Sequence, residues 1–170
     1  MQQATASEVT EMSKRYVVKP LGEGQVLQAY PLVQSAVPHL TLEQWMGYAE
    51  ELCSGERPGE TGVGVMSAQN PDGYIYGIYC HEVETDIKHG RILKVSNLVT
   101  ANLYDSAGIM DRMIDSMIDM ARDSGCVAVQ VDLPQEIANG PQSVESPANM
   151  LRGAGYRLAS VALCRPVDKK

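Results

Sequence analysis

Between Arg91 and Leu133 the chain reads as strand, loop, amphipathic helix and strand, an order that leaves few folds open. Ile92 to Val99 is apolar enough for a buried strand, and the turn-forming run Thr100 to Gly108 follows it. A helix is predicted to open near Gly108, because Ile109, Met110, Met113, Ile114, Met117, Ile118 and Ala121 recur at i, i+3/i+4 spacing. Asp111, Asp115, Asp119 and Arg122 fall mostly on its other face. Ser124-Gly125 ends the helix, and Cys126 to Leu133 supplies a second apolar strand. A helical crossover of this length joins two parallel strands of one sheet. The first N–H groups of such a helix lack intrahelical partners and suit an anion. Gly108 permits close backbone approach there, with the amides of Ser106 to Met110 around it.

The remaining segments fill in a mixed sheet. Arg15 to Lys19 reads as a first strand stopped by Pro20, and Glu23 to Val37 as a helix that Pro31 is positioned to split. Thr41 is an N-cap for a second helix, whose apolar stripe is Leu42, Trp45, Met46, Ala49 and Leu52. Thr61–Gln69 and Tyr74–Val83 flank the turn Asn70-Pro71-Asp72-Gly73, which predicts an antiparallel hairpin. The polar run Glu84–Gly90 turns into the Arg91 strand. Beyond Leu133 lie a Pro- and Gly-rich loop, a short helix over Pro147–Ala154 and a closing strand over Tyr156–Pro166. The order β-α-α-β-β-β-α-β-α-β predicts an α/β fold of the α+β type. Its central sheet is mixed and mostly antiparallel, of about six to seven strands with helices on both faces.

A length of 170 residues fits one domain, expected over residues 14–170, with residues 1–13 a disordered, polar tail rather than a signal peptide. Phe is absent, so nine Met and eight Tyr share the large core positions with the aliphatics. A formal net charge of −7 and the lack of Lys/Arg clusters argue against a nucleic-acid surface. No apolar run approaches the ~20 residues that span a bilayer. Cys53, Cys80, Cys126 and Cys164 are widely spaced and read as free thiols of a cytoplasmic protein, with no metal site or disulfide framework.

Two segments, Asp105-Ser106-Ala107-Gly108-Ile109-Met110 and Leu151-Arg152-Gly153-Ala154-Gly155-Tyr156, carry a family resemblance. With the element order, they make the chain resemble the GCN5-related N-acetyltransferases. In that family an Arg/Gln-x-x-Gly-x-Gly/Ala loop leads into a long helix, and an Ala-x-x-Leu-Tyr-x-x-x-Gly-Phe helix comes later. The resemblance implies the acyl-CoA N-acyltransferase fold, with acetyl-CoA or another acyl-CoA as a substrate. It places the pyrophosphate at the amides of Ser106, Ala107, Gly108, Ile109 and Met110 and the pantetheine along the main chain of Leu98 and Val99, with Thr100 and Asp105 also counted among the cofactor-binding residues. The Val99 amide would polarise the thioester carbonyl. The partner it implies is a small-molecule or peptide amine acceptor; an acidic protein suits a cationic one.

The chain departs from the family pattern at identifiable positions. Asp105 and Met110 stand where Arg or Gln and a small residue are usual, and Lys94–Asn97 contains no carboxylate to take the amine's proton. Leu151 occupies the place of the usual proton-donating Tyr, and Val144 that of an upstream Asn. His81 and Tyr104 are the candidates for a replacement base and acid. The alternatives are a surface histidine at a strand end and a loop tyrosine packed on the sheet; Trp45 reads as core. Two other functions fit the same pattern: a catalytically silent domain of this fold that serves as a ligand sensor or protein-interaction module, and a homodimerising domain that pairs through the edge of its last strand.

Overall fold

The turn at Asn70–Gly73 folds two strands onto each other, and the sheet grows outward from that hairpin. The Asn70 side-chain oxygen accepts from the Tyr74 amide at 2.9 Å, and Gly73 takes φ 83°, a value that favours glycine. The computed structural model describes residues 15–53, 62–101, 106–138, 146–160 and 162–165. They form strands β1 (Val17–Pro20), β2 (Gly64–Gln69), β3 (Ile75–Asp86), β4 (Gly90–Thr100) and β5 (Ala128–Val131). The helices are α1 (Val26–Ala36), α2 (Leu42–Cys53), α3 (Ser106–Asp123), α4 (Gln135–Ala138) and α5 (Pro147–Gly153). A 3-10 turn, Glu23–Gln25, leads into α1. The sheet order is β1-β2-β3-β4-β5, antiparallel except for the β4–β5 pair, which α3 connects as a parallel crossover.

Side-chain alternation along the strands sorts the core into two layers. Tyr79, Leu93, Val95 and Leu98 pack with the α3 stripe Ile109, Met110, Met113, Ile114, Met117 and Ala121. Val65, Ile78 and Cys80 face the other way, against Val26, Ala29, Val33, Trp45 and Ala49 of α1 and α2. Trp45 donates its indole N–H to the Val26 carbonyl at 2.7 Å, which fixes α2 against α1. Thr41 does cap α2, through a reciprocal box: its Oγ1 accepts from the Gln44 amide, and Gln44 Oε1 accepts from the Thr41 amide.

Several predicted boundaries move. Pro31 lies inside an unbroken α1 rather than splitting it. β3 runs through the polar segment to Asp86, because Glu82 and Glu84 lie opposite Lys94 and Ile92 and Lys94 pairs with Glu84 at 3.4 Å. α3 starts at Ser106, one half-turn before Gly108. The largest correction is strand number. Five strands are present among the described residues, not six or seven. Residues 156–160 and 162–165 carry strand-forming side chains but adopt no regular structure, and Leu158 and Leu163 are exposed. Strand propensity alone does not make a strand without a ladder partner. The tail at 1–13, Tyr104 and Asp105 lie outside the described residues.

Candidate active site

β4 and β5 part company halfway along. They pair from Ile92↔Ala128 to Val95↔Val131, and the Asp132 amide closes the seam by donating to the Val95 carbonyl at 2.8 Å. From Ser96 onward β4 has no β5 partner among the described residues, while its other edge stays paired with β3 up to Thr100. At the point of divergence Asn97 and Leu98 together face Tyr79, a β-bulge, and Asn97 adopts φ 51°. Asn tolerates this left-handed region better than most residues.

The bulge also decides which main-chain groups face the gap. The Ala101 amide donates to the Tyr76 carbonyl at 2.7 Å, which sets the phase of the ladder beyond the bulge. By alternation Val99 then directs its backbone groups at Ile78 of β3, and Leu98 and Thr100 direct theirs into the gap.

The N-terminus of α3 is brought to the open end of this gap by Gly77, which is opposite Thr100. A Cβ on Gly77 would sit 2.6 Å from the Met113 sulfur and 3.1 Å from Ile109 Cγ2, so glycine lets the first turns of α3 settle there without the Met113 side chain giving way. Ser106, Ala107 and Gly108 are half-buried, whereas the Ile109 and Met110 side chains are buried in the core. Ile109 and Met110 therefore offer main chain alone.

On the opposite face of the bulge, Asn97 Nδ2 donates to the Tyr48 hydroxyl at 2.9 Å and to Cys80 Sγ at 3.7 Å. Burial pushes the Cys80 thiol up, with the bonds from Asn97 and Tyr48 opposing it. Tyr48 leans on Trp45 with ring centroids 6.4 Å apart. By alternation from Cys80, Glu82 and Glu84 share this face with Lys94, so the surface flanking the cluster is acidic overall.

On the α3 face, Leu151 is buried in the core. The Tyr156 amide donates to the Leu151 carbonyl at 3.0 Å, folding position 156 back beside position 151. Tyr156 packs against the same core, yet its buried hydroxyl finds no hydrogen-bond partner among the described residues. Leaving such a group unpaired costs about 1–3 kcal/mol. Burial raises the Tyr156 phenol above its usual range. The neighbouring Tyr79, opposite the bulge, is pushed up to about 12 by burial; its bond to Ser116 Oγ at 3.0 Å opposes the shift and the Tyr156 charge adds to it.

Solved structures share this architecture. An aminoglycoside N-acetyltransferase in complex with CoA superposes with a TM-score of 0.69 at 10% identity, over 89% of this chain and 94% of that one. Glucosamine-6-phosphate N-acetyltransferase from Arabidopsis thaliana gives 0.64 at 14% identity, over 90% and 99%. Ribosomal-protein-alanine N-acetyltransferase from Brucella melitensis gives 0.63 at 16% identity, also over 90% and 99%. No protein-family model and no curated protein matches by sequence. The chain has the fold of the GCN5-related N-acetyltransferases.

Against this acetyltransferase fold the predicted site residues separate into two groups. Leu98, Val99, Thr100, Ser106, Ala107, Gly108, Ile109 and Met110 gather at the gap and its mouth. Within that group the Val99 amide points at β3 rather than into the gap, because a one-residue bulge inverts the direction of the amides beyond it. His81 does not join them. It stands opposite Val95 on the α3 face, beside a cavity of about 350 Å³ lined also by Cys53, Met120 and Ser124. Since Gly77 meets Ile109 and Met113 while this cavity meets Met120, His81 lies toward the far end of α3. Its Nδ1 is 3.1 Å from the Gly62 carbonyl oxygen, and burial holds the imidazole below its ordinary pKa. His81 is thus not a surface strand-end residue; its ring lies 6.4 Å from that of Tyr79. Tyr48, Asn97 and Tyr156 are the polar residues that pattern reasoning missed. An Asn inside an apolar strand was the one available signal, since Asn is depleted from strands.

Among the described residues no group of three or more His, Cys, Asp or Glu is placed to hold a metal ion, and no helix is long and apolar enough to cross a membrane.

Proposed function

We propose that this protein is an acyl-CoA-dependent N-acyltransferase that uses acetyl-CoA and passes the acyl group directly to an amine within a ternary complex. One observation carries the reading: a splayed gap with the outward-turned main chain of Leu98 and Thr100 on its wall and the α3 N-terminus at its mouth. The amide groups of a pantetheine arm match an unpaired strand edge, which offers donors and acceptors in alternation. The amides of Ser106 to Ile109 would receive the pyrophosphate. A helix terminus contributes only about 0.3–1 kcal/mol to an exposed anion, and up to ~2 when partly buried, so the gap must supply most of the affinity.

Chemistry in such a site rests on orientation and on removing a proton from the amine. The Leu98 or Thr100 amide would stabilise negative charge growing on the thioester oxygen. The acceptor, a small-molecule or peptide amine, would arrive on the Tyr48–Asn97 face, where Glu82 and Glu84 favour a cationic group. Four free thiols suit work in the cytoplasm. Isothermal titration with acetyl-CoA and CoA is expected to give micromolar binding, and no heat at millimolar ligand would sink the proposal. Asp105→Arg is expected to tighten binding by replacing a carboxylate near the diphosphate with a cation.

A second reading, a silent acyl-CoA sensor, draws on Leu151 being locked in the core and on the absence of a carboxylate from Lys94–Asn97. It predicts CoA binding with no free thiol released from acetyl-CoA by any amine in a panel.

A further inference from the structure

We propose that Asn97 is a positioning residue for acyl transfer, whose side chain aims the Leu98 amide at the thioester oxygen, an inference that rests on the acyltransferase reading above. Nothing is transferred to or from Asn97 itself. The amine nitrogen bonds the carbonyl carbon, negative charge collects on the thioester oxygen, and the carbon–sulfur bond breaks with its electron pair on sulfur. The amine's surplus proton passes to water, which returns one to the thiolate. A donor held in direction before the charge appears stabilises it without reorganising.

Three observations carry it. Among the described residues Asn97 alone, glycines aside, has a positive φ, and such a backbone persists only where its surroundings hold it. The holding groups lie on one face of the sheet. Asn97 Nδ2 donates to the Tyr48 hydroxyl of α2 at 2.9 Å and to Cys80 Sγ of β3 at 3.7 Å, which engages both of its hydrogens. Tyr48 leans on Trp45, itself tied to the Val26 carbonyl, and Cys80 is buried in that same layer. The next side chain, Leu98, is anchored on the opposite face, in the core beneath α3. The planar peptide unit between the two residues contains the Leu98 N–H, and it is pinned from both faces of the sheet. The neighbouring strands do little to orient it. The β5 ladder stops at Val95, and the bulge disrupts the ladder opposite Tyr79. The side-chain anchors therefore set where this amide points.

Tyr48→Phe separates aim from packing, because it removes one acceptor and keeps the ring on Trp45. Its melting temperature is expected to stay within about 4 °C of the parent's, and its affinity for CoA within about twofold. Its kcat for transfer from acetyl-CoA to an amine is expected to fall about tenfold, the worth of one hydrogen bond, with the KM for acetyl-CoA unchanged. Asn97→Gly accepts the left-handed backbone without the anchoring side chain, and is expected to lose roughly 100-fold in kcat, as when one oxyanion donor is removed. Infrared spectra of bound acetyl-CoA, labelled with carbon-13 at the thioester carbonyl and measured without an amine, read the aim directly. The parent is expected to shift the carbonyl stretch to lower frequency, and both variants to move it back toward that of free acetyl-CoA. A role in stability alone would lower the melting temperature and leave the parent's frequency in place. Variants that keep either the parent's carbonyl frequency or its kcat overturn the inference and leave the transferase reading intact, as does a parent that binds and turns over without any shift. A parent that does not bind acetyl-CoA, or binds it and transfers to no amine, removes both.

Discussion

The two halves of β4 are the same strand put to different uses. From Ile92 to Val95 it is hydrogen-bonded on both sides, and Leu93 and Val95 are fully buried under α3. From Ser96 to Thr100 it keeps β3 but gives up β5, and its backbone carries the bulge at Asn97. The first half holds the fold together and the second leaves polar backbone available to a guest. The contrast shows that an unpaired edge can be made in the middle of a sheet by ending a neighbour early.

Paired proline substitutions test that contrast most severely. Val99→Pro would delete a ladder amide and orphan the Ile78 carbonyl, so a stability loss of about 3 kcal/mol is expected in urea titration. Thr100→Pro removes an amide that points into the gap, where proline is tolerated as on an edge strand. It is expected to change stability by less than ~1 kcal/mol while weakening acetyl-CoA at least tenfold in calorimetry, a loss of about 1.4 kcal/mol. Equal stability losses in the two variants would show that the phase assigned beyond the bulge is wrong.

Gly77→Ala comes next and attacks the support of the open half from below. Its Cβ would press on the Met113 sulfur at 2.6 Å, so about 1–3 kcal/mol of overpacking strain is expected in thermal unfolding. The displaced start of α3 is expected to weaken CoA more than it weakens pantetheine, which carries no phosphate for the helix terminus to hold.

His81 gives the smallest effect and sharpens the comparison at the closed end. Burial depresses its pKa in the folded state, so the unfolded chain binds the proton more readily. Stability from the neutral imidazole is fully present above the ordinary value near 6.5 and declines as pH falls below it toward the folded pKa. His81→Gln is expected to flatten that dependence in melts between pH 5 and 8 and to leave CoA affinity unchanged.

What could be read from the chain, and what could not, follows from the range of the interactions. The α3 stripe, the Thr41 cap and the Asn70–Gly73 turn are set within a few residues, and each forms where its pattern places it. The helix start is local too. The direction of the Val99 amide is not, because it depends on a bulge that exists only once β3 and β4 are in register. Tyr48 and Asn97 are 49 residues apart in sequence and meet only across the packed α2–sheet interface. Tyr156 was legible as a strand residue, and its strand is absent among the described residues; what the chain order could not supply is the turn that lays it beside Leu151.

Asn97 has one more implication. Its left-handed backbone breaks the regular spacing of carbonyls and amides along the β4 edge, so Asp132 and Leu133 could not simply continue the seam by sliding into register. The cleft is therefore held ajar by the chain's own geometry, and the acyl-CoA proposed to occupy it need not prise two strands apart to enter. Entry should be fast, with selectivity resting on how well the occupant fits rather than on whether it can force a door.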